Sequence, residues 1–347
     1  MYTRVCLYKI LIGFIGCTTF FSCSKKDYLP IKRDNLGSDA SFNEQLFQPV
    51  LGRTTQYSGI FQPGSTTFPI QFRLVNVRSM TTGQPANELT DLYPVSVWTK
   101  AYTGNETSVA EIEAKKMVQY RSVLEVGASS GDITMWYTGL SSFIKPLPDS
   151  GYLFDIEASN SGGRKYFTNF KLQPYRERSF EPSNVDPVTG QPTTAGIHPS
   201  MVDNIVGDST NLHLVPSDVQ VFVRKVNDGS NTQNKLTFRF FDKNYNPISP
   251  DKFGTTNWTG LIHGFNMQKT ATSVSYDVSY PLPSVKMPTR FTNGNGDMAH
   301  LVFTYNRLDA FGALSTAYLG LDFAIYENGN WEIVFVFSKD NPRFRNE

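Results

Sequence analysis

Phe68-Pro69-Ile70-Gln71-Phe72-Arg73-Leu74-Val75-Asn76-Val77 is the stretch whose reading decides the fold. Phe68, Ile70, Phe72 and Leu74 fall on one side of an extended backbone, and Pro69, Gln71, Arg73 and Val75 on the other. Side chains leave a strand on alternate faces, so a period of two with one apolar side reads as a half-buried β-strand. The same style recurs outward from it. Residues 93–102 follow a Thr-Gly-Gln-Pro turn. Residues 151–158 and 165–175 flank Asn160-Ser161-Gly162-Gly163 and read as a hairpin. Strand patterns continue at 219–223, 236–241, 273–280, 298–306, 316–326 and 331–337, and Asn328-Gly329 between the last two is a hairpin signal.

One segment has a different period. Ser108-Val109-Ala110-Glu111 is a capping box, and Ile112, Lys115, Lys116 and Met117 continue it at helical spacing to about residue 121. Many short strands with turn signals and one short helix argue for an all-β protein: two antiparallel β-sandwich (Ig-like) domains, the helix in the first. The expected division is a leader over 1–22, a tether over 23–48, an N-terminal sandwich over 49–185, a Pro- and Gly-rich linker over 186–210 and a C-terminal sandwich over 211–347. One extended sandwich is the alternative.

Composition agrees. Aromatic residues make up 14% of the 347, with 26 Phe and 17 Tyr, a content that suits sheet cores better than helix bundles. The charge balance of 32 basic against 31 acidic residues gives no basic surplus for nucleic acid.

Phe20-Phe21-Ser22-Cys23-Ser24-Lys25-Lys26-Asp27 supplies the address. Arg4 and Lys9 precede an apolar run over 10–21, which is the length of a signal-peptide core and too short to span a bilayer of ~30 Å as a helix. A small residue and a cysteine after such a run resemble a bacterial lipobox, although Phe20-Phe21-Ser22 departs from its commoner Leu-Ala-Gly form. By that resemblance Cys23 becomes the lipidated N-terminus, and Lys25, Lys26 and Asp27 resemble the signal that sends Bacteroidota lipoproteins to the outer face of the outer membrane. Cys6 and Cys17 lie in the leader, so the mature chain is expected to hold no disulfide, no zinc cysteines and no cysteine nucleophile.

Chemistry-bearing motifs are scarce. His198, His213, His263 and His300 show no metal-ligand spacing, and neither His-Glu-x-x-His nor Gly-x-Ser-x-Gly occurs. No cofactor is expected. The loop-like Gly294-Asn295-Gly296-Asp297 and Asn227-Asp228-Gly229 read as turns, and an irregular structural calcium site stays compatible with them. Asp155 and Glu157 share one side of a strand, as many solvated pairs do. Of Trp98, Trp136, Trp258 and Trp331, Trp258 is the ligand candidate. Thr255-Thr256-Asn257-Trp258-Thr259-Gly260 puts an indole among hydroxyls and an amide, the combination a sugar site uses. The expected ligand residues are therefore Trp258, Asn257 and Thr256. Asp208-Ser209-Thr210 resembles an O-glycosylation sequon of exported Bacteroidota proteins.

Asp27-Tyr28-Leu29-Pro30, Glu111-Ile112-Glu113-Ala114-Lys115, Tyr175-Arg176-Glu177-Arg178, His263-Gly264-Phe265-Asn266-Met267-Gln268 and Trp331-Glu332-Ile333-Val334-Phe335 carry a family resemblance. The mature chain resembles an uncharacterised family of Bacteroidota surface lipoproteins. The resemblance implies accessory lipoproteins found beside starch-utilisation-type systems, in which an outer-membrane porin pairs with a glycan-capturing lipoprotein. The leading expectation is a non-enzymatic outer-membrane lipoprotein facing the cell exterior. It binds or helps import a polysaccharide, next to a porin–lipoprotein complex. A structural or adhesive envelope protein and a glycan-acting enzyme are the alternatives.

The location rests on one residue. Cys23→Ala is expected to leave the protein unprocessed or released from the membrane fraction. Processing and membrane retention equal to the parent would contradict lipidation.

Overall fold

The computed structural model describes residues 34–226, 234–309 and 311–344. Cys23, the leader and the turn expected at 227–230 lie outside the described residues. Ten strands carry the architecture. In the first half they are β1 (Gln71–Ser79), β2 (Leu92–Trp98), β3 (Lys116–Ser122), β4 (Tyr152–Asn160) and β5 (Gly163–Leu172). In the second half they are β6 (Val219–Val226), β7 (Lys235–Phe241), β8 (Ala299–Leu308), β9 (Leu314–Ile325) and β10 (Asn330–Phe337). The protein is all-β, and the described residues hold two short α-helices, α1 (Asn87–Thr90) and α2 (Val109–Glu113), both in the first half.

Two apolar cores form, one in each half. The first lies under a sheet ordered Leu46–Phe47, β5, β4, β1. Tyr152, Phe154, Ile156 and Ala158 of β4 point inward with Phe72, Phe170 and Leu172. They meet Leu124, Ile133 and Met135 from a smaller sheet. Phe154 stacks on Phe170 at 5.3 Å. The second core lies between the β6–β10–β7 sheet and the β8–β9 pair. Phe240 is its hub, edge-on to Phe303 at 4.8 Å and stacked with Phe335 at 5.6 Å. Each such ring contributes about 1.5–3 kcal/mol through burial.

The structure departs from the sequence reading in four places. Ser108 caps α2, its hydroxyl accepting from the Glu111 N–H at 3.1 Å, but the helix stops at Glu113. Residues 116–122 are strand β3, paired residue for residue with β2 from Trp98↔Lys116 to Leu92↔Ser122. Val118 and Tyr120 favour that extended state, and an unsupported helix of a few turns is marginal in water. Asn328-Gly329 does not make a hairpin. β9 stays with β8, while β10 crosses to the other sheet, antiparallel to β6 and parallel to β7. The corner is held by Trp331 Nε1 donating to the Glu327 carbonyl at 2.9 Å and Gly329 N donating to Asn234 Oδ1 at 2.9 Å. The sheets are therefore not purely antiparallel. The expected tether reaches into the fold, since Phe42 and Phe47 belong to the first core. The stretch expected as a linker is also structured: Ile197 bridges Val221, Met201–Asp203 pairs with β9, and Ile205 enters the second core.

The loop between β2 and α2 ties the halves together. His263 is 4% exposed, stacked on Phe291 at 4.9 Å. Its Nε2 donates to the Glu106 carbonyl at 3.0 Å, and its Nδ1 is hydrogen-bonded to the Tyr102 hydroxyl. Beside it the Glu106 carboxylate accepts from Thr103 N at 2.8 Å, from Thr103 Oγ1 at 3.1 Å and from Lys115 Nζ. Burial opposes the charge of Glu106, but the Lys115 ammonium and the Thr103 donors outweigh it and bring the carboxyl from 4.5 to about 2.

A folded value below the unfolded one means that stability from Glu106 is present above pH 4.5 and is lost as pH falls towards about 2. Denaturant unfolding across that window should show falling stability, and Glu106→Gln should flatten the fall. An unchanged slope in the variant would remove Glu106 from the linkage.

Candidate functional site

The outward face of the β1–β4–β5 sheet carries a connected polar network. Alternation puts Leu153, Asp155, Glu157 and Ser159 on the side of β4 away from the core. The register sets Glu157 between Arg73 and Tyr166. At Asp155 both neighbouring ladders slip by a residue, a β-bulge on either side. Asn76 on β1 and Asn169 on β5 take up the slip with φ of 53° and 64°, the left-handed region that Asn tolerates better than most residues.

Asp155 holds the two irregularities together. It is 7% exposed, and it accepts from Asn76 Nδ2 at 2.6 Å, Asn169 N at 2.7 Å and Arg78 Nη1 at 3.3 Å. Arg78 Nη2 donates to Asn169 Oδ1 at 2.8 Å, closing the network. One row away Glu157, also 7% exposed, accepts from the Tyr166 hydroxyl at 2.8 Å, with Arg73 Nη2 at 3.7 Å. The Tyr166 ring itself is 55% exposed. The face thus offers an aromatic ring fixed by its own hydroxyl, two amide side chains, the Arg78 guanidinium held by a buried carboxylate and the Arg73 guanidinium beside another. A shallow groove lined by Leu74, Asn76, Arg78, Gly83, Pro85 and Thr90 runs along its β1 edge. Both carboxylates are occupied by donors, so the solvated pair expected at Asp155 and Glu157 is instead a pair of buried supports.

The expected ligand cluster around Trp258 is placed differently. Its indole is 9% exposed, 5.5 Å from Phe303 and 6.5 Å from Phe240, with Lys269 Nζ 5.3 Å from the ring. Thr256 Oγ1 donates to the Thr304 carbonyl at 3.1 Å and accepts from Thr304 N at 2.7 Å. Asn257 Oδ1 accepts from Gly260 N at 3.2 Å and caps the short 3₁₀ turn. The polar residues serve the backbone and the indole serves the core, which leaves no open ring for a sugar. Trp331, Tyr276 and Tyr280 are likewise buried. Trp136 Nε1 is held by Glu125 at 3.0 Å. Asp297 is engaged by Asn293 Nδ2 at 2.8 Å, and among the described residues no three His, Cys, Asp or Glu side chains converge on one point.

Sequence reasoning missed Asn76, Arg78, Asn169 and Tyr166. The available signal was an Asn within each of two strand patterns, at 76 and 169, where Asn is disfavoured.

Fold and face together define an all-β protein of two cores with a connected polar network on an open sheet face. The chain belongs to the family described as a domain of unknown function (DUF5007), whose model matches residues 61–346. That span takes in β1 to β10 and so the whole candidate face. Comparison with curated proteins finds no match.

The network predicts its own keystone. Asp155→Ala leaves Arg78, Asn76 and the Asn169 N–H without their common acceptor, and a loss of about 2–4 kcal/mol of stability is expected in denaturant titration. A loss below about 0.5 kcal/mol, the size of an ordinary surface change, would show that the bulges do not depend on it.

Proposed function

We propose that this protein is a non-enzymatic accessory lipoprotein of the bacterial outer membrane, of the Bacteroidota type. It is anchored through Cys23, faces the cell exterior, and binds polysaccharide on the β1–β4–β5 face beside a porin–lipoprotein complex. The observation that carries this reading is Tyr166, an exposed ring whose tilt is set by a buried carboxylate. Sugar rings stack their apolar faces on such a platform, and their hydroxyls need fixed amides and charged groups next to it. Asn76, Asn169, Arg73 and Arg78 supply those groups at adjacent positions. The binding role is favoured over catalysis because Asp155 and Glu157 are committed to holding donors. A sheet face open to solvent also suits a long chain better than a cleft for one bond. Thr67 Oγ1 donates to Asp34 Oδ1 at 3.2 Å, and the Ser161 hydroxyl reaches the same carboxylate, so Asp34, the first described residue, lies against the β4–β5 turn beside this face.

A second reading, docking to a protein, is favoured by the β2–β3 ribbon. Its outer face exposes Leu92 at 64%, Val118 at 64% and Tyr120 at 71%, an apolar cluster of the kind that marks association surfaces.

The protein from Ser24 onward, displayed on a glycan array, separates the two. Binding is expected, and Tyr166→Ala, verified by circular dichroism to remain folded, should weaken it by at least about tenfold. Absence of binding to any glycan, or binding indifferent to Tyr166, would overturn the glycan reading.

A further inference from the structure

Charge on the same face is unevenly displayed. The sheet register sets Arg164 opposite Ser159, Tyr166 opposite Glu157 and Lys171 opposite Leu153, with Arg73 and Arg78 across on β1. The two acids, Asp155 and Glu157, are 7% exposed and sit beneath their donors. The cations stand above them. The Arg73 side chain is 71% exposed, Arg164 and Lys171 are exposed, and only Arg78 is drawn down, at 18%. Four cations against two carboxylates leave the face at +2 on a mature chain that carries almost no net charge. The Arg73–Glu157 separation of 3.7 Å is longer than a hydrogen bond, so the guanidinium keeps its N–H groups for another acceptor. Arg164 and Lys171 are seven residues apart along β5, roughly 20 Å with Tyr166 between them, a length that spans several sugar units.

We infer that the face selects acidic polysaccharides, with sugar-borne carboxylate or sulfate groups on Arg73, Arg164 and Lys171 while a sugar ring stacks on Tyr166. This rests on the glycan-binding reading of the same surface and narrows its substrate class. Guanidinium groups match carboxylate and sulfate geometry in bidentate fashion, and the buried acids hold Tyr166 and Arg78 in place without presenting negative charge to the ligand. The neutral chains expected of a starch-type system have nothing to place on three exposed cations.

Matched probes test this: polygalacturonate against its methyl ester for carboxylate, and dextran sulfate against dextran for sulfate, within an array of neutral glycans. The protein from Ser24 onward is expected to bind at least one acidic probe about tenfold or more tighter than its neutral partner. Salt raised from about 0.05 to about 0.3 M should erode that preference, as screening requires. Arg73→Ala and Arg164→Ala, both at exposed positions, should each weaken acidic binding by about threefold or more, with Arg73→Lys recovering part of it. Lys286→Ala, an exposed cation in the other half, should leave it unchanged. Equal affinity for acidic and neutral partners, or an effect of Lys286→Ala as large as that of Arg73→Ala, would overturn the inference. Binding confined to neutral glycans would overturn the acidic class and leave the glycan reading standing. No binding to any glycan would remove both.

Discussion

Asp155 is a charge that the sheet must satisfy within its own pleat. A carboxylate this buried is stable only with donors on both oxygens, and the donors come from both neighbouring strands. To deliver them, β1 and β5 each turn one Asn into the left-handed region. Local strain of that kind persists where surrounding contacts over-determine it, and here the first core does so. Phe154 and Ile156, immediately flanking Asp155, are fully buried, so the strand cannot rotate to release the carboxylate. Core packing below fixes polar geometry above, and the outward face inherits rigidity that an ordinary solvated sheet lacks.

Both halves divide their aromatic residues between core and surface. The second half packs one set around Phe240, and its one exposed-looking indole in the sequence, Trp258, is absorbed there, while Phe222 and Tyr245 stay exposed. The first half leaves rings on its surface at Tyr166 and Tyr120. The seam through Tyr102, His263 and Glu106 holds the halves by hydrogen bonds next to one compensated ion pair. The β2–β3 ribbon runs into that seam through α2. Lys116 Nζ at its end reaches Ser279 Oγ at 3.1 Å in the second half. The two candidate surfaces, ribbon and sheet face, thus belong to the same half of the molecule.

Sequence pattern was enough for the fold class because strands with one buried face, such as β7 and β8, keep a period of two, and the apolar runs of β9 and β10 are bounded by turn residues. Ser108 and Glu111 also gave the start of α2, since a cap is a local event. Its end was not legible. Lys115, Lys116 and Met117 continue a helical spacing, and only pairing with β2, some twenty residues earlier, makes them a strand. Asn328-Gly329 misled for a related reason: it bends the chain whether the next strand pairs with the last one or crosses to the other sheet, and the choice lies with β6 and β7. The site was hardest. Trp258 with Thr256 and Asn257 looked like a ligand set because polar neighbours suggest exposure, yet those neighbours satisfy backbone groups. Asp155, Asn76 and Asn169 are distant in sequence, and only the register brings them together.

The central claim is that the outward face of β1, β4 and β5 is the surface that meets ligand. Hydrogen–deuterium exchange of the protein from Ser24 onward, with and without a glycan that it binds, tests this most directly. The account predicts added protection in peptides covering 71–78, 153–159 and 164–171, with the β2–β3 ribbon unchanged. Protection confined to 92–98 and 116–122, or to the second half, would contradict it.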